Sequence, residues 1–194
     1  MTTQVLSRVA KPVTASAFLA EVCDRLRAVN TTLREQAKAA EQRAIATTIV
    51  ALLFFQQHFA CVWAGDSRAY LMRDGQFRQV SHDHSEVQEL VDRGVIRPAE
   101  ARGHPRGNVV TRAVGAHEQL DLETVHDRLC ENDVFLLCSD GLTKTVEDDE
   151  IAAMLARPVD RAVETLMQMA LDRGAPDNVT IVAVKLLPAG DPGA

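Results

Sequence analysis

The chain has 194 residues, a length that fits one globular domain with a sizeable core. Hydrophobic residues make up 46% of it and charged residues 25%, which is average for a globular protein. The formal net charge of -6 gives no electrostatic reason to bind nucleic acid or an anionic lipid surface. Composition therefore predicts a globular domain with no nucleic-acid partner and no membrane partner.

No stretch has the pattern of a membrane helix or a secretion signal. The longest apolar run, residues 45–55, is interrupted by Thr47 and Thr48 and is shorter than the roughly 20 residues that a membrane helix needs. The four cysteines form no C-x-x-C pair; they are Cys23, Cys61, Cys130 and Cys138. We therefore expect reduced thiols and a cytoplasmic location.

The first half of the chain predicts one long helix followed by hairpins. After a leader segment at residues 1–14, an apolar stripe predicts an amphipathic helix from an N-cap at Ser16 to about Ala40. Strand-like runs at residues 47–55 and 59–64 predict a hairpin. The pair Asp74-Gly75 lies between two further strand-like runs and predicts a type I′ turn, which assigns Asp74 to structure.

Residues 81–125 predict short helices and loops. Ser85 and Gln88 have the spacing of a capping box, and Gly94 is expected to end that helix. Pro98 is expected to begin a second short helix. A strand is predicted near residues 120–125.

A run of five apolar residues, Val134 to Cys138, predicts a strand that is covered on both faces. The strand is followed at once by Ser139-Asp140-Gly141. Gly141 is expected to permit a backbone turn that a Cβ would resist, which leaves the Asp140 carboxylate at the end of a rigid element. The alternative is that this Asp-Gly pair is only a turn.

The remaining elements complete an α+β pattern. Helices are predicted at about residues 147–156 and from a cap at Asp160 to just before Gly174, followed by a strand at 179–186 and a tail at 188–194. Strands in antiparallel runs with helices between them predict helices packed on sheets.

Three aspartates lie at junctions between loops and strands: Asp66, Asp140 and Asp177. Hard divalent cations such as Mg²⁺ and Mn²⁺ bind carboxylate oxygens, so dispersed aspartates that meet in space would suit them. Each aspartate also has a structural interpretation: Asp66 could pair with Arg68, and Asp177 could form an Asx-turn. His82 and His84 could instead bind zinc, but no third ligand has a recognisable spacing.

Taken together and in order, these motifs resemble the metal-dependent protein phosphatases of the PPM, or type-2C, family in its bacterial form. The resemblance runs from the helix before Ala46 to Val184. It is carried by five segments: Trp63 to Arg68, Ser81 to Ser85, Asn108 to Gly115, Asp133 to Leu142, and Gly174 to Thr180.

The resemblance implies a β-sandwich of two antiparallel sheets flanked by helices, with Mn²⁺ or Mg²⁺ as cofactor and metal-activated water as nucleophile. It also implies a phosphorylated protein substrate and a cognate serine/threonine kinase pathway. Asp140 and Asp177 would bind the first metal, and Asp66, with Asp140, a third and weaker one. Residues 81–115 would form a flap beside the site. The implied flap residues are Ser81, His82, Asp83, His84, Ser85, Asn108, Thr111 and Arg112, and the implied supporting residues are Gly65, Gly141 and Asn178.

The sequence also departs from the family. Members normally carry, near their start, a strand with a phosphate-binding Arg and a Glu-Asp pair, then an Asp-Gly-Met-Gly-Gly-His segment, and this sequence has neither. We therefore interpret residues 15–187 as a partial phosphatase domain and expect exposed sheet edges that favour self-association. Two functions remain open: a phosphatase, or a phosphatase-like binding module without turnover.

Overall fold

In the computed structural model, residues 14–188 form two antiparallel sheets with helices on their outer faces, and these are the residues described. The helices are α1 (Ala15–Ala39), α2 (Glu86–Asp92), α3 (Pro98–Ala101), α4 (Asp140–Thr143), α5 (Asp148–Leu155) and α6 (Val159–Asp172). The strands are β1 (Ile49–Phe55), β2 (His58–Ala64), β3 (Arg68–Arg73), β4 (Gln76–Gln79), β5 (Glu123–Arg128), β6 (Val134–Cys138) and β7 (Ile181–Lys185). The predicted α+β fold is confirmed. Leader residues 1–13 and tail residues 189–194 lie outside the described part.

The first sheet has the strand order β1-β2-β5 and the second β4-β3-β6-β7. The two sheets face each other across an apolar layer. In this layer the rings of Phe59 of β2 and Phe135 of β6 pack edge to face, with 4.7 Å between their centroids. Leu71 of β3 is buried in the same layer. The alternation of side chains along each strand sends every second residue into this layer.

Helices cover the outer faces. Val22 and Leu26 of α1 pack on Val62 and Ala64 of β2. On the second sheet, α5 and α6 cover residues of β6 that include Leu136. The prediction that β6 is covered on both faces is confirmed, and its predicted bounds agree with the structure.

The hairpin at Asp74-Gly75 is as predicted, since the two residues have φ values of 51° and 76° between paired strands β3 and β4. The thiols of all four cysteines are free, as expected. Within residues 14–188 no helix combines the length and apolar character that crossing a membrane requires.

Several local predictions were wrong. The long helix is capped by Thr14, whose Oγ1 accepts from the Ala17 N–H, and not by Ser16. Asp160 lies inside the first turn of α6, which has Pro158 at its N-cap. Acidic charge is still favourable there, because the first turn is the positive end of the helix dipole.

The predicted capping box at α2 is only half formed. Ser85 Oγ accepts from the Gln88 N–H, but the Gln88 side chain donates to Asp92. Strand β5 begins at Glu123 and not near Leu120, because Leu120 and Leu122 pack towards α1 ahead of the strand.

Candidate functional site

Asp140 lies where β6 gives way to α4. Cys138 ends the strand and Asp140 is the first residue of α4, so the backbone turns directly into a helical turn that the sequence did not predict. Ser139 ties this junction to β7: its N–H donates to Thr180 O, and its hydroxyl accepts from the Thr180 N–H at 2.9 Å. The backbone before Asp140 is therefore fixed by β6 and by Thr180, the residue that precedes β7, which limits where the carboxylate can lie.

Gly141 brings the Asp177 loop against Asp140. Its φ is not positive, so the predicted reason for a glycine, a backbone turn, was wrong. The reason is close approach: a Cβ at Gly141 would lie 2.5 Å from Asn178 O and 3.2 Å from Asp177 O. Asp177 itself is exposed, and its Oδ1 accepts from the N–H of the next residue, Asn178. An Asx-turn would bond the N–H two residues on, so this bond is not the predicted Asx-turn.

Asp66 lies between β2 and β3, directly after a glycine whose backbone conformation other residues rarely adopt. Gly65 has a φ of 128°, and a Cβ there would lie 2.4 Å from Thr48 Cγ2, so only glycine fits. Burial and then the negative charge of Asp140 raise the pKa of Asp66, while Lys144 opposes this shift. Asp66 and Asp140 are thus electrostatic neighbours.

The alternative ion pair of Asp66 with Arg68 does not form. The Arg68 guanidinium donates to both oxygens of Asp83, at 2.8–2.9 Å, and to Tyr70 Oη at 3.0 Å. Tyr70 in turn donates to Asp148 on α5. These bonds anchor Asp83 to β3 and, through Tyr70, to α5.

In residues 81–85, part of the predicted flap, most side chains are bonded within the fold. The Ser81 hydroxyl accepts from the Ala69 N–H, and Asp83 also accepts from Gln79. His82 is exposed and pairs with Asp92 at 2.8 Å. Residues 81–85 are therefore fixed against the neighbouring strands, and their assignment to a flap stays a prediction.

His84 joins residues 81–85 to the loop that holds Asp66. Its Nδ1 accepts from the Gly65 N–H at 3.1 Å, and its backbone N–H donates to Gly65 O. Its ring stacks on Trp63, and its Nε2 lies 3.2 Å from Glu123 Oε1. Burial, assisted by the charge of Arg112, lowers the pKa of His84. Because one nitrogen accepts from Gly65, the neutral ring carries its proton on the other.

Residues at the end of the predicted flap also contact His84 or its partner Glu123. The Thr111 N–H donates to the carbonyl of His84, and Arg112 donates to Glu123 at 2.7 Å. Asn108 is exposed. His82 and His84 are thus engaged by different carboxylates, an arrangement unlike a shared zinc site.

Sequence reasoning missed one charged residue of the site, Lys144. Its ammonium contacts the Asp140 carboxylate from one helical turn away. The signal was available, since an acid and a base four residues apart meet on a helix, but the helical turn at Asp140 was not predicted.

The acidic cluster fits a divalent cation in part. Burial is the main cause of the raised pKa of Asp66, and the negative charge of Asp140 adds to it. The second contribution favours positive charge nearby, and the Lys144 ammonium already lies against Asp140. However, residues 14–188 contain no group of three or more His, Cys, Asp or Glu side chains placed to hold a metal together. The assignment of Asp66, Asp140 and Asp177 as ligands stays a prediction.

Comparison with known proteins identifies the class. The two-sheet fold superposes on PppA of Pseudomonas aeruginosa, described as a key regulatory component of T6SS, with a TM-score of 0.86 and 38% identity over 95% of this chain and 77% of that one. It also superposes on the catalytic domain of the serine/threonine protein phosphatase PstP in complex with two manganese ions, with a TM-score of 0.84, 33% identity and coverage of 95% and 79%. The fold is that of bacterial serine/threonine phosphatases.

The sequence agrees with the fold. The family model described as protein phosphatase 2C matches residues 15–179, so the chain belongs to that family. PstP of Mycobacterium tuberculosis is 37% identical over 172 residues, which are 88% of this chain. The chain spans about a third of that relative, 33% of its length.

Proposed function

We propose that the protein is a metal-dependent protein serine/threonine phosphatase that hydrolyses phosphoserine and phosphothreonine in a kinase-regulated pathway. The observation that carries the proposal is that Asp66 follows β2 and Asp140 follows β6, one strand from each of the two facing sheets. Burial, and after it the negative charge of Asp140, raises the pKa of Asp66, which supports the pairing of these two residues. Family membership supplies the reaction class.

Asp66 and Asp140, with Asp177 on the adjoining loop, would hold Mn²⁺ or Mg²⁺. When bound, such ions lower the pKa of a water molecule and neutralise phosphate charge. The protein's own contribution is to orient: Ser139 and Gly141 fix Asp140 against the Asp177 loop. His84 fixes the backbone beside Asp66.

A second function is favoured by one specific observation. Since residues 14–188 hold no three-ligand cluster, we expect negligible turnover from the 194-residue polypeptide by itself. A phosphatase-like domain without turnover can still bind a phosphoprotein through the flap. We propose residues 15–187 as the unit that would carry either function.

Two measurements separate these functions. The intact mass of the protein from its native cell shows whether it exceeds the mass calculated for 194 residues, and hydrolysis of a phosphothreonine peptide is then measured with and without Mn²⁺. A phosphatase would show Mn²⁺-dependent hydrolysis that Asp140→Ala removes and that Asp149→Ala, a change at an exposed acid on α5, does not. Binding of the phosphopeptide without hydrolysis at any Mn²⁺ concentration would favour the binding module.

We also propose self-association through an open sheet edge. The edge strand β1 carries seven apolar residues and no charge, with Phe54 39% exposed, whereas the opposite edge β5 carries four charged or ionisable residues. Phe54→Lys should lower any dimer fraction in sedimentation velocity. Val125→Lys, on β5 and 36% exposed, is the matched control. A wild-type chain that remains monomeric at millimolar concentration would contradict this.

A further inference from the structure

Lys144 is placed by α4 beside the acidic pair. Its backbone N–H donates to Asp140 O at 2.9 Å, which puts the two side chains on one face of the helical turn. The Lys144 ammonium contacts Asp140 Oδ2, and the side chains are 28% and 24% exposed. The contact is therefore partly shielded from water.

Lys144 also acts on Asp66. Burial and Asp140 raise the pKa of the Asp66 carboxyl, and Lys144 works in the opposite direction. The direct contact in this group is the ion pair of Lys144 with Asp140, and Asp66 is influenced by the charges of both. Arg68 does not share this role, because Asp83 and Tyr70 take up its guanidinium.

We propose that Lys144 is a built-in counter-ion that competes with a divalent cation for Asp140 and so lowers the metal affinity of the site. The inference rests on the proposed function, since it takes the acidic pair as the place where a metal binds. A cation that enters must displace the ammonium, whose flexible, partly exposed stem can move it into water.

Charge balance gives the direction of the effect. Without Lys144, the metal-free state would hold two carboxylates with no counter-ion and would be less stable. The metal-bound state would lose much less stability, because the metal supplies the positive charge there. The difference between the two states appears as tighter binding of metal.

The test is a titration of the 194-residue polypeptide with Mn²⁺, with the electron paramagnetic resonance signal of free Mn²⁺ as the readout. Lys144→Gln should bind Mn²⁺ about five- to tenfold more tightly than the wild type, the effect of one partly shielded ion pair. Lys144→Met should do the same, and it serves if the glutamine variant folds poorly. Lys185→Gln, an exposed lysine on β7, is the matched control and should change nothing.

The outcomes separate this inference from the proposed function. Binding of Mn²⁺ with equal affinity by the wild type and the Lys144 variants would leave the metal site standing and overturn the role of Lys144. Absence of binding by every variant would overturn the metal site itself, and with it any competition. Weaker binding by Lys144→Gln would show that Lys144 assists the metal, which also overturns the inference.

A metal-free measurement checks the ion pair on which the inference depends. In a double-mutant cycle of Lys144→Gln and Asp140→Asn, followed by urea unfolding without metal, the two changes should be non-additive. Additive effects would show that the ammonium and the carboxylate do not interact in solution, and would overturn the inference whatever the titration gives.

Discussion

Gly141→Ala should separate the Asp177 loop from Asp140. An ordinary contact of a Cβ begins at about 3.4 Å, and the added methyl would lie 2.5 Å from Asn178 O, so the backbone must move by about 0.9 Å. Overpacking of this kind costs about 1–3 kcal/mol, while alanine in place of glycine returns up to about 1 kcal/mol in a helix. We expect a net loss of about 1–2 kcal/mol in the free energy of unfolding.

Two assays report on this change. Urea unfolding gives the loss of stability. Hydrogen exchange at the Thr180 amide reports on the bond from that amide to Ser139 Oγ, and in Gly141→Ala the amide should exchange faster. Gly174→Ala is the control: its φ of 68° imposes backbone strain, but no atom lies within 4 Å of the new methyl. Gly174→Ala should lower the free energy of unfolding by a similar amount, about 1–2 kcal/mol. It should not change the rate at which the Thr180 amide exchanges through local opening, that is, without global unfolding. Unaltered Thr180 exchange in Gly141→Ala would refute the close-approach argument.

Three further predictions concern stability. In urea unfolding, Asp133→Ala should lower the free energy of unfolding by about 3–5 kcal/mol, because Asp133 is fully buried and accepts two bonds from Arg73. Asp127 is the exposed partner of the same arginine, so Asp127→Ala should cost under about 1 kcal/mol. Asn30→Ala should lower the melting temperature by several degrees, a loss of about 1–3 kcal/mol, because the buried Asn30 amide bonds three backbone groups of the loop before β5. Stability should also fall below pH 6.5, because the folded state holds the pKa of His84 below its unfolded value and the unfolded chain takes up the proton first.

Each of these predictions has a result that would contradict it. Equal costs for the two aspartate variants would mean that burial does not control the Arg73 pair. An Asn30→Ala protein with wild-type melting temperature would show that water replaces the amide. The contribution of neutral, buried His84 to stability is complete above pH 6.5, and it declines as the pH falls from 6.5 towards the pKa of His84 in the folded state. A His84→Gln variant with the same decline would assign it to another group.

Much of the fold could be predicted because the local signals were strong. The five apolar residues of β6 allowed both ends of that strand to be placed, and the Asp74-Gly75 pair determined its turn through backbone conformation alone. The prediction failed where two neighbouring residues carried the same signal for the start of a helix. Thr14 and Ser16 are both residue types that cap helices well, so sequence preference alone did not distinguish them. In the structure their hydroxyls lie 3.1 Å apart.

The site was predicted less completely because its geometry depends on long-range packing. The sequence marked Asp66, Asp140 and Asp177, but only the fold shows that Gly141 touches the Asp177 loop. The contact of Lys144 with Asp140 depends on a helical turn of four residues, which is too short to leave a periodic pattern. Local sequence identified the charges, and tertiary structure determined their partners.

The most direct test of the central claim is an anomalous diffraction map from crystals grown with MnCl₂. The account predicts a manganese peak beside the Asp66 and Asp140 carboxylates, which would hold the ion, with the Lys144 ammonium moved away. A map at saturating Mn²⁺ with no peak there, and with Lys144 still on Asp140, would contradict it.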